Sequence, residues 1–318
     1  MIKSFVNIRL NFLLFAMGLL SFIACNKTSP EGINSQTTSL GTLLSTGANT
    51  TIFNSAVVKA GLDSIFSGPS IFTLMVPNDA NCIQSGYSQA VINGFSSDQS
   101  RSWVLYQTYA GTALPFESFI GKTEVKLIMA NGDSTFVSGD SNRTYINGYQ
   151  FLNSEAAASN GIMLGLQNVL VPPTQNLSQM IGSDTSLTFF NQAIQLSTPV
   201  PDTLSVLLTS GGPYTLIAPD NDAFRNVGYN TPADLNSVSP DSLRSLVLLS
   251  MIPQRLFGYD VGDSSMIQTA NDSTLIFYIT GIQTTVQVVG SDTTSNVISV
   301  SPMARNGVIF KIDGLLEP

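Results

Sequence analysis

Two kinds of hydrophobic spacing alternate along this chain, and each occurs twice. Ile52, Phe53, Ala56, Val57 and Ala60 recur at helical intervals, as do Leu187, Phe190, Ala193 and Ile194; each set predicts a helix with one apolar face. A short continuous apolar run follows each helix, over 71–76 and 214–218, and ends at Pro77 and Pro219. Such runs read as buried strands that proline brings to a stop. Asp79 and Asp222 stand where an N-cap would open a short helix. Longer helices are expected over 98–109 and 239–251, with Pro240 suited to a first turn.

The back half of each unit changes period. Segments 126–130 and 134–138 flank Asn131-Gly132-Asp133, and segments 144–146 and 149–151 flank Asn147-Gly148, both hairpin signals. Segments 274–280 and 284–289 play the same part later. Helices followed by a mostly antiparallel sheet define an α+β domain.

The two halves are copies. Residues 71–80 recur at 213–224, Ser102-Trp103-Val104-Leu105 is answered by Ser245-Leu246-Val247-Leu248, and Asn160-Gly161-Ile162-Met163 by Asn306-Gly307-Val308-Ile309. Three matches in order at nearly constant offset mark a tandem duplication. The boundaries follow as 37–173 and 174–318, with Pro172 and Pro173 forming a short stiff junction that keeps the units in contact. The Gly161 and Gly307 positions suggest a turn that side chains would forbid before the last strand.

Residues 1–24 are set aside as a secretory signal. Lys3 and Arg9 precede a 13-residue stretch from Phe12 to Ala24 that is apolar except for Ser21, shorter than the roughly 20 residues of a spanning helix. Phe22-Ile23-Ala24-Cys25 resembles the lipobox of bacterial lipoproteins, with Phe22 departing from the preferred Leu. That resemblance implies acylation of Cys25, residues 25–36 as a lipidated tether, and, with Asn26 next, an outer-membrane address. Asp-Ser/Thr-apolar-or-Thr segments such as Asp63-Ser64-Ile65 and Asp292-Thr293-Thr294 are similar to an O-glycan acceptor pattern, although turn chemistry favours the same residues.

Composition narrows the chemistry. The 318 residues hold 13 Lys+Arg, 21 Asp+Glu, 2 Cys and no His, with 43% hydrophobic and 11% charged residues. The absence of His removes most hydrolase triads and His-bearing metal sites, and a net charge of −8 opposes a nucleic-acid binder. Cys82 reads as a small core residue. Asp220-Asn221-Asp222 offers calcium-like oxygens without the spaced Gly and Glu of an EF-hand. Asp260 and Asp263, beside Gly262 and Ser264, suggest an exposed turn. No catalytic residue, metal site or cofactor is assigned, and the binding face stays open.

The repeated motifs resemble the fasciclin domain family. Tyr214 to Phe224 matches its aromatic-Thr-apolar-apolar-Ala-Pro strand leading into a helix start, and Arg305 to Asp313 matches its closing stretch. The likeness covers about 37–173 and 174–318. The family's central His is replaced by Gln107 and Ser250, its closing His position holds Leu164 and Phe310, and its closing Asp is Asp313 but Gln167 in the first copy. The first copy is therefore the more diverged.

The resemblance implies two domains, each a mostly antiparallel β-sheet wedge or sandwich with several helices packed at one side. Pro77, Gly161, Pro219, Asp222, Asn306, Gly307 and Asp313 are its fold motif. The expected function is a non-catalytic surface lipoprotein in adhesion or in contact with surface polysaccharide or matrix protein, held to the membrane through Cys25. The alternative is glycan or small-molecule capture beside an outer-membrane transporter.

Overall fold

The computed structural model describes residues 37–197 and 203–317. The signal, Cys25 and the tether lie outside them. The first domain contains β1 (Phe72–Pro77), β2 (Thr108–Ala110), β3 (Val125–Ile128), β4 (Ser134–Gly139), β5 (Thr144–Ile146), β6 (Tyr149–Ala158) and β7 (Gly161–Leu166). The second contains β8 (Tyr214–Pro219), β9 (Met251–Ile252), β10 (Ser265–Gln268), β11 (Thr274–Thr280), β12 (Gln283–Val288), β13 (Thr294–Val300) and β14 (Gly307–Ile312). The strand orders are β2-β1-β7-β6-β5-β4-β3 and, read in the matching direction, β9-β8-β14-β13-β12-β11-β10. The duplication is thus one of topology as well as sequence.

Within each sheet only one pairing is parallel, β1 with β7 and β8 with β14. This central pair is buried on both faces, which explains its continuous apolar runs. In β1, Phe72, Leu74 and Val76 face the helices while Met75 faces the other half of the sheet. In the second domain Leu216 and Ala218 face the helices and Ile217 points the opposite way. Register shifts in β6, between Phe151 and Glu155, and in β13, between Val297 and Ser299, bend each sheet around its second core. The wedge with helices along one side is what the residues build.

Both amphipathic helices form, over Thr51–Lys59 and Thr188–Leu196, and bury the expected apolar positions. The longer helices stop earlier than their spacing suggests, at Tyr106 and Leu249. Thr108–Ala110 and Met251–Ile252 become edge strands instead, because the Gln107 and Ser250 carbonyls accept hydrogen bonds from the Met75 and Ile217 N–H groups (2.9 and 2.8 Å). Pairing to the sheet outcompetes another helical turn.

The N-caps also differ from expectation. Asn78 and Asp220 hold those positions, accepting from the Asn81 and Ala223 N–H groups at 2.8 Å. Asp79 reaches across to the Thr51–Lys59 helix instead, accepting from Ile52 N–H at 2.9 Å and Thr51 Oγ1 at 2.6 Å. Asn221 serves the Thr188–Leu196 helix in the same way, through Phe189 N–H and Thr188 Oγ1. Asp222 is one position further along and forms only a surface pair with Arg225. An acceptor at a neighbouring helix's first turn satisfies an N–H that its own helix cannot.

Candidate functional site

The repeated motif residues are consumed in holding each domain shut. Asn306 Oδ1 accepts from Leu177 N–H at 2.8 Å, while its amide donates to the Leu208 and Gly211 carbonyls at 3.0 and 2.9 Å. Asn160 repeats the arrangement on Leu40, Phe66 and Gly68, at 2.8 Å each. One side chain thereby ties the domain's first helix to its last strand and to the turn before its central strand. Pro77 and Pro219 end their strands opposite Leu166 and Ile312. Asp313 clamps β13 by accepting from the Asn296 backbone and side-chain amides, both at 2.7 Å.

The two glycines are required for different reasons. Gly161 has φ +142°, and a Cβ there would lie 1.9 Å from the Phe72 carbonyl oxygen. Gly307 needs no left-handed backbone. The expected turn does precede both last strands, at Ser159-Asn160 and Arg305-Asn306, but the Gly307 constraint is space, since a Cβ would lie 2.0 Å from the Tyr214 carbonyl oxygen.

The positions that replace the family's central His diverge. Gln107 is buried and spans to the domain's exit: its amide donates to the Leu170 carbonyl at 2.7 Å and its oxygen accepts from Leu170 N–H at 3.0 Å. Ser250 is too short for this reach, and its buried hydroxyl has no partner among the described residues. Cys82 is buried, and burial pushes its thiol up to about 12, so it supplies no thiolate. Among the described residues, no three His, Cys, Asp or Glu side chains gather to hold a metal.

Polar groups with unspent capacity collect elsewhere, at the joint between the domains. Tyr145 and Tyr259 stack across it with centroids 4.2 Å apart and planes 7° from parallel, and Phe257 continues the ladder. Phe136 packs against the second domain's core, with the Arg255 guanidinium carbon 3.9 Å from its ring centroid. Gly148, in the Asn147-Gly148 hairpin, has φ +87° and lies against Phe257, so the turn that closes the hairpin also makes room for the partner domain. Arg305 fixes the linker through its backbone N–H to the Gln175 carbonyl and its Nε to the Pro173 carbonyl.

Two clefts open beside this joint. The first, about 670 Å3, is walled by Glu124, Arg143, Tyr145, Tyr259 and Asp260 among others. The second, about 560 Å3, is walled by Lys126, Asp133, Phe136, Arg255 and Arg305. Arg255 lines both, and half of the ten described Lys and Arg residues border one or the other. That concentration stands out in a chain of net charge −8.

The electrostatics there are those of incompletely paired groups. Among the described residues, Glu124 Oε1 and Arg255 Nε are buried without hydrogen-bond partners. Desolvation pushes Glu124 up and Arg255 down from their ordinary values, each partly offset by the other's charge. Asp260 is raised to about 6, chiefly by burial, while its carboxylate accepts from Phe257 N–H at 2.8 Å. The exposed turn expected at Asp260 is therefore a half-buried wall of the joint; the neighbouring glycines marked a turn, and residues of the first domain share its cleft. Asp263 is exposed as expected.

None of Glu124, Tyr145, Arg255 or Tyr259 stood out in the sequence. Their role depends on the placement of one domain against the other, which no local pattern carries. The arrangement can bind and orient a polar or charged ligand.

The fasciclin domain model matches residues 48–172 and 185–318. Transforming growth factor-beta-induced protein ig-h3 of Sus scrofa is 28% identical over 175 residues, 54% of this chain and 24% of that protein. Its Oryctolagus cuniculus counterpart is 27% identical over the same extent. The chain thus spans about a quarter of the length of these curated relatives. A FAS1 domain pair from the insect cell adhesion molecule Fasciclin I aligns at a TM-score of 0.41 and 14% identity, over 84% of this chain and 96% of that one. With both repeats matched by one family, over most of its length, this chain belongs to the fasciclin domain family.

Proposed function

We propose that this protein is a non-catalytic surface lipoprotein, anchored in the outer membrane through acyl chains on Cys25, whose paired domains mediate adhesion or contact with extracellular matrix and surface polymers. Fasciclin domains are typically non-enzymatic adhesion modules. The observation that carries the reading is that the repeated motif residues are spent on internal clasps, which leaves the surface and the joint free to act. At about 0.8 kcal/mol per buried methylene, several acyl chains suffice for stable tethering. Many tethered copies then multiply weak contacts.

Membrane fractionation of cells carrying Cys25→Ser tests the address. The variant should accumulate as an unlipidated precursor and leave the detergent-extractable fraction; recovery at mature size in the membrane would remove the anchor. Loss of cell attachment on deletion of the gene supports adhesion, and unchanged attachment refutes it. A second reading, capture of a glycan or small molecule beside an outer-membrane transporter, is favoured by one observation: the two polar clefts at the joint.

A further inference from the structure

We propose that the second joint cleft binds the carboxylate of a uronate sugar, held by Arg255 with Lys126 and Arg305. The proposal rests on the capture reading and names its ligand.

Arg255 is the starting point. It is 5% exposed, yet among the described residues its guanidinium makes a single hydrogen bond, a long one of 3.4 Å from Nη2 to the Arg305 carbonyl, and Nε has no partner. Among the described residues no carboxylate lies within ion-pair distance of it; Glu124 influences it only from further away. Phe136 covers one face of the guanidinium and leaves its edge as the hydrogen-bonding surface. A buried charge without a counterion is unfavourable, and a guanidinium edge matches a carboxylate in shape and charge.

The rest of the cleft agrees with an anionic occupant. Lys126 and Arg305 border it and are exposed, against a single carboxylate, Asp133, which is already engaged with the Asn131 amide at 2.7 Å. Three cations face one acid in a protein that elsewhere repels anions. Three cations are too few for a nucleic acid, whose binding needs many phosphate contacts. A sugar acid carries one charge per ring. Its C–H faces suit Phe136, Met303, Pro173 and Pro213, and its hydroxyls suit the polar backbone at Gly211 and Gly212. The volume, about 560 Å3, lies within the roughly 300–1,000 Å3 of small-ligand clefts.

The test is calorimetric titration of the full chain in detergent micelles with trigalacturonic acid, galacturonic acid, neutral maltotriose, inorganic phosphate and a short oligothymidylate. Binding of the uronates, weakened by added salt and reduced about tenfold or more by Lys126→Glu and by Arg305→Glu, is the expected result. Arg255→Lys keeps the charge but not the planar fork and should also weaken binding. Matching thermal midpoints for the exposed variants show that the fold is intact; for a variant that fails this control, the Gln substitution at the same site replaces it.

Affinity of the monomer equal to that of the trimer supports the site and identifies a free sugar acid as the source; a stronger trimer identifies a polymer. No uronate binding, tighter binding of phosphate or oligothymidylate, equal binding of maltotriose, or indifference to all three substitutions overturns the proposal. Retention of a native surface polymer by the charge-reversed variants would leave the capture reading standing while removing this cleft from it.

Discussion

Asn160 and Asn306 each satisfy three backbone groups from parts of the chain that are far apart in sequence. Replacing Asn306 by Ala strands one N–H and two carbonyls at the partly buried junction of helix, turn and strand. A loss of about 2–4 kcal/mol is expected, read as a lower urea midpoint with an unchanged slope. Gly307→Ala should be at least as damaging, because the added carbon meets backbone rather than a flexible side chain. Asp260 sets a pH dependence. Its carboxyl is raised from 3.8 to about 6, so the fold favours the protonated form. The stability it contributes is full below about pH 4 and is lost as pH rises through about 6. Asp260→Asn should therefore raise the melting temperature at pH 7 and flatten the profile between pH 4 and 6 in thermal scans. The Asn oxygen still accepts from Phe257 N–H.

At the scale of elements, spacing and turn chemistry were enough to place most of the architecture. The amphipathic helices, the Asn131-Gly132 and Asn147-Gly148 hairpins and the proline-ended strands stand where their patterns put them. Helix ends did not follow, since Gln107 and Ser250 belong to the sheet edge through partners that lie far away in sequence. The parallel pairing of β1 with β7 was equally invisible, because alternation tells which face is buried and not which strand lies alongside. The candidate site was the least legible part: Asp260 looked solvent-exposed, and no local pattern marked Arg255. Gln107 and Ser250 allow a paired experiment on the diverged position. Gln107→Ser removes both bonds to Leu170 and should cost the first domain about 1–3 kcal/mol. Ser250→Ala deletes a hydroxyl that bonds to nothing and should leave the second domain's melting temperature unchanged or slightly higher.

For the whole molecule, the Tyr145–Tyr259 stack, the Phe136 contact and the Arg305 anchor on the linker join two similar domains into one unit. An aromatic pair adds about 0.5–1.5 kcal/mol beyond the area it buries, enough to couple domains that would otherwise melt independently. Differential scanning calorimetry should show one transition for the native chain and two after Tyr259→Ala. Two transitions in the native chain would assign the stack no coupling role.

The order of strands also bears on when such a chain can close as it is made. In each domain the central partner, β7 or β14, is the last strand to be synthesised and lies beside one of the first. A nascent copy can form its hairpins early, but it cannot close until its final residues emerge. Contacts of such long sequence separation form slowly. A polypeptide built this way stays open for longer than one closed by its neighbours in sequence, and its compaction is deferred until each copy is complete.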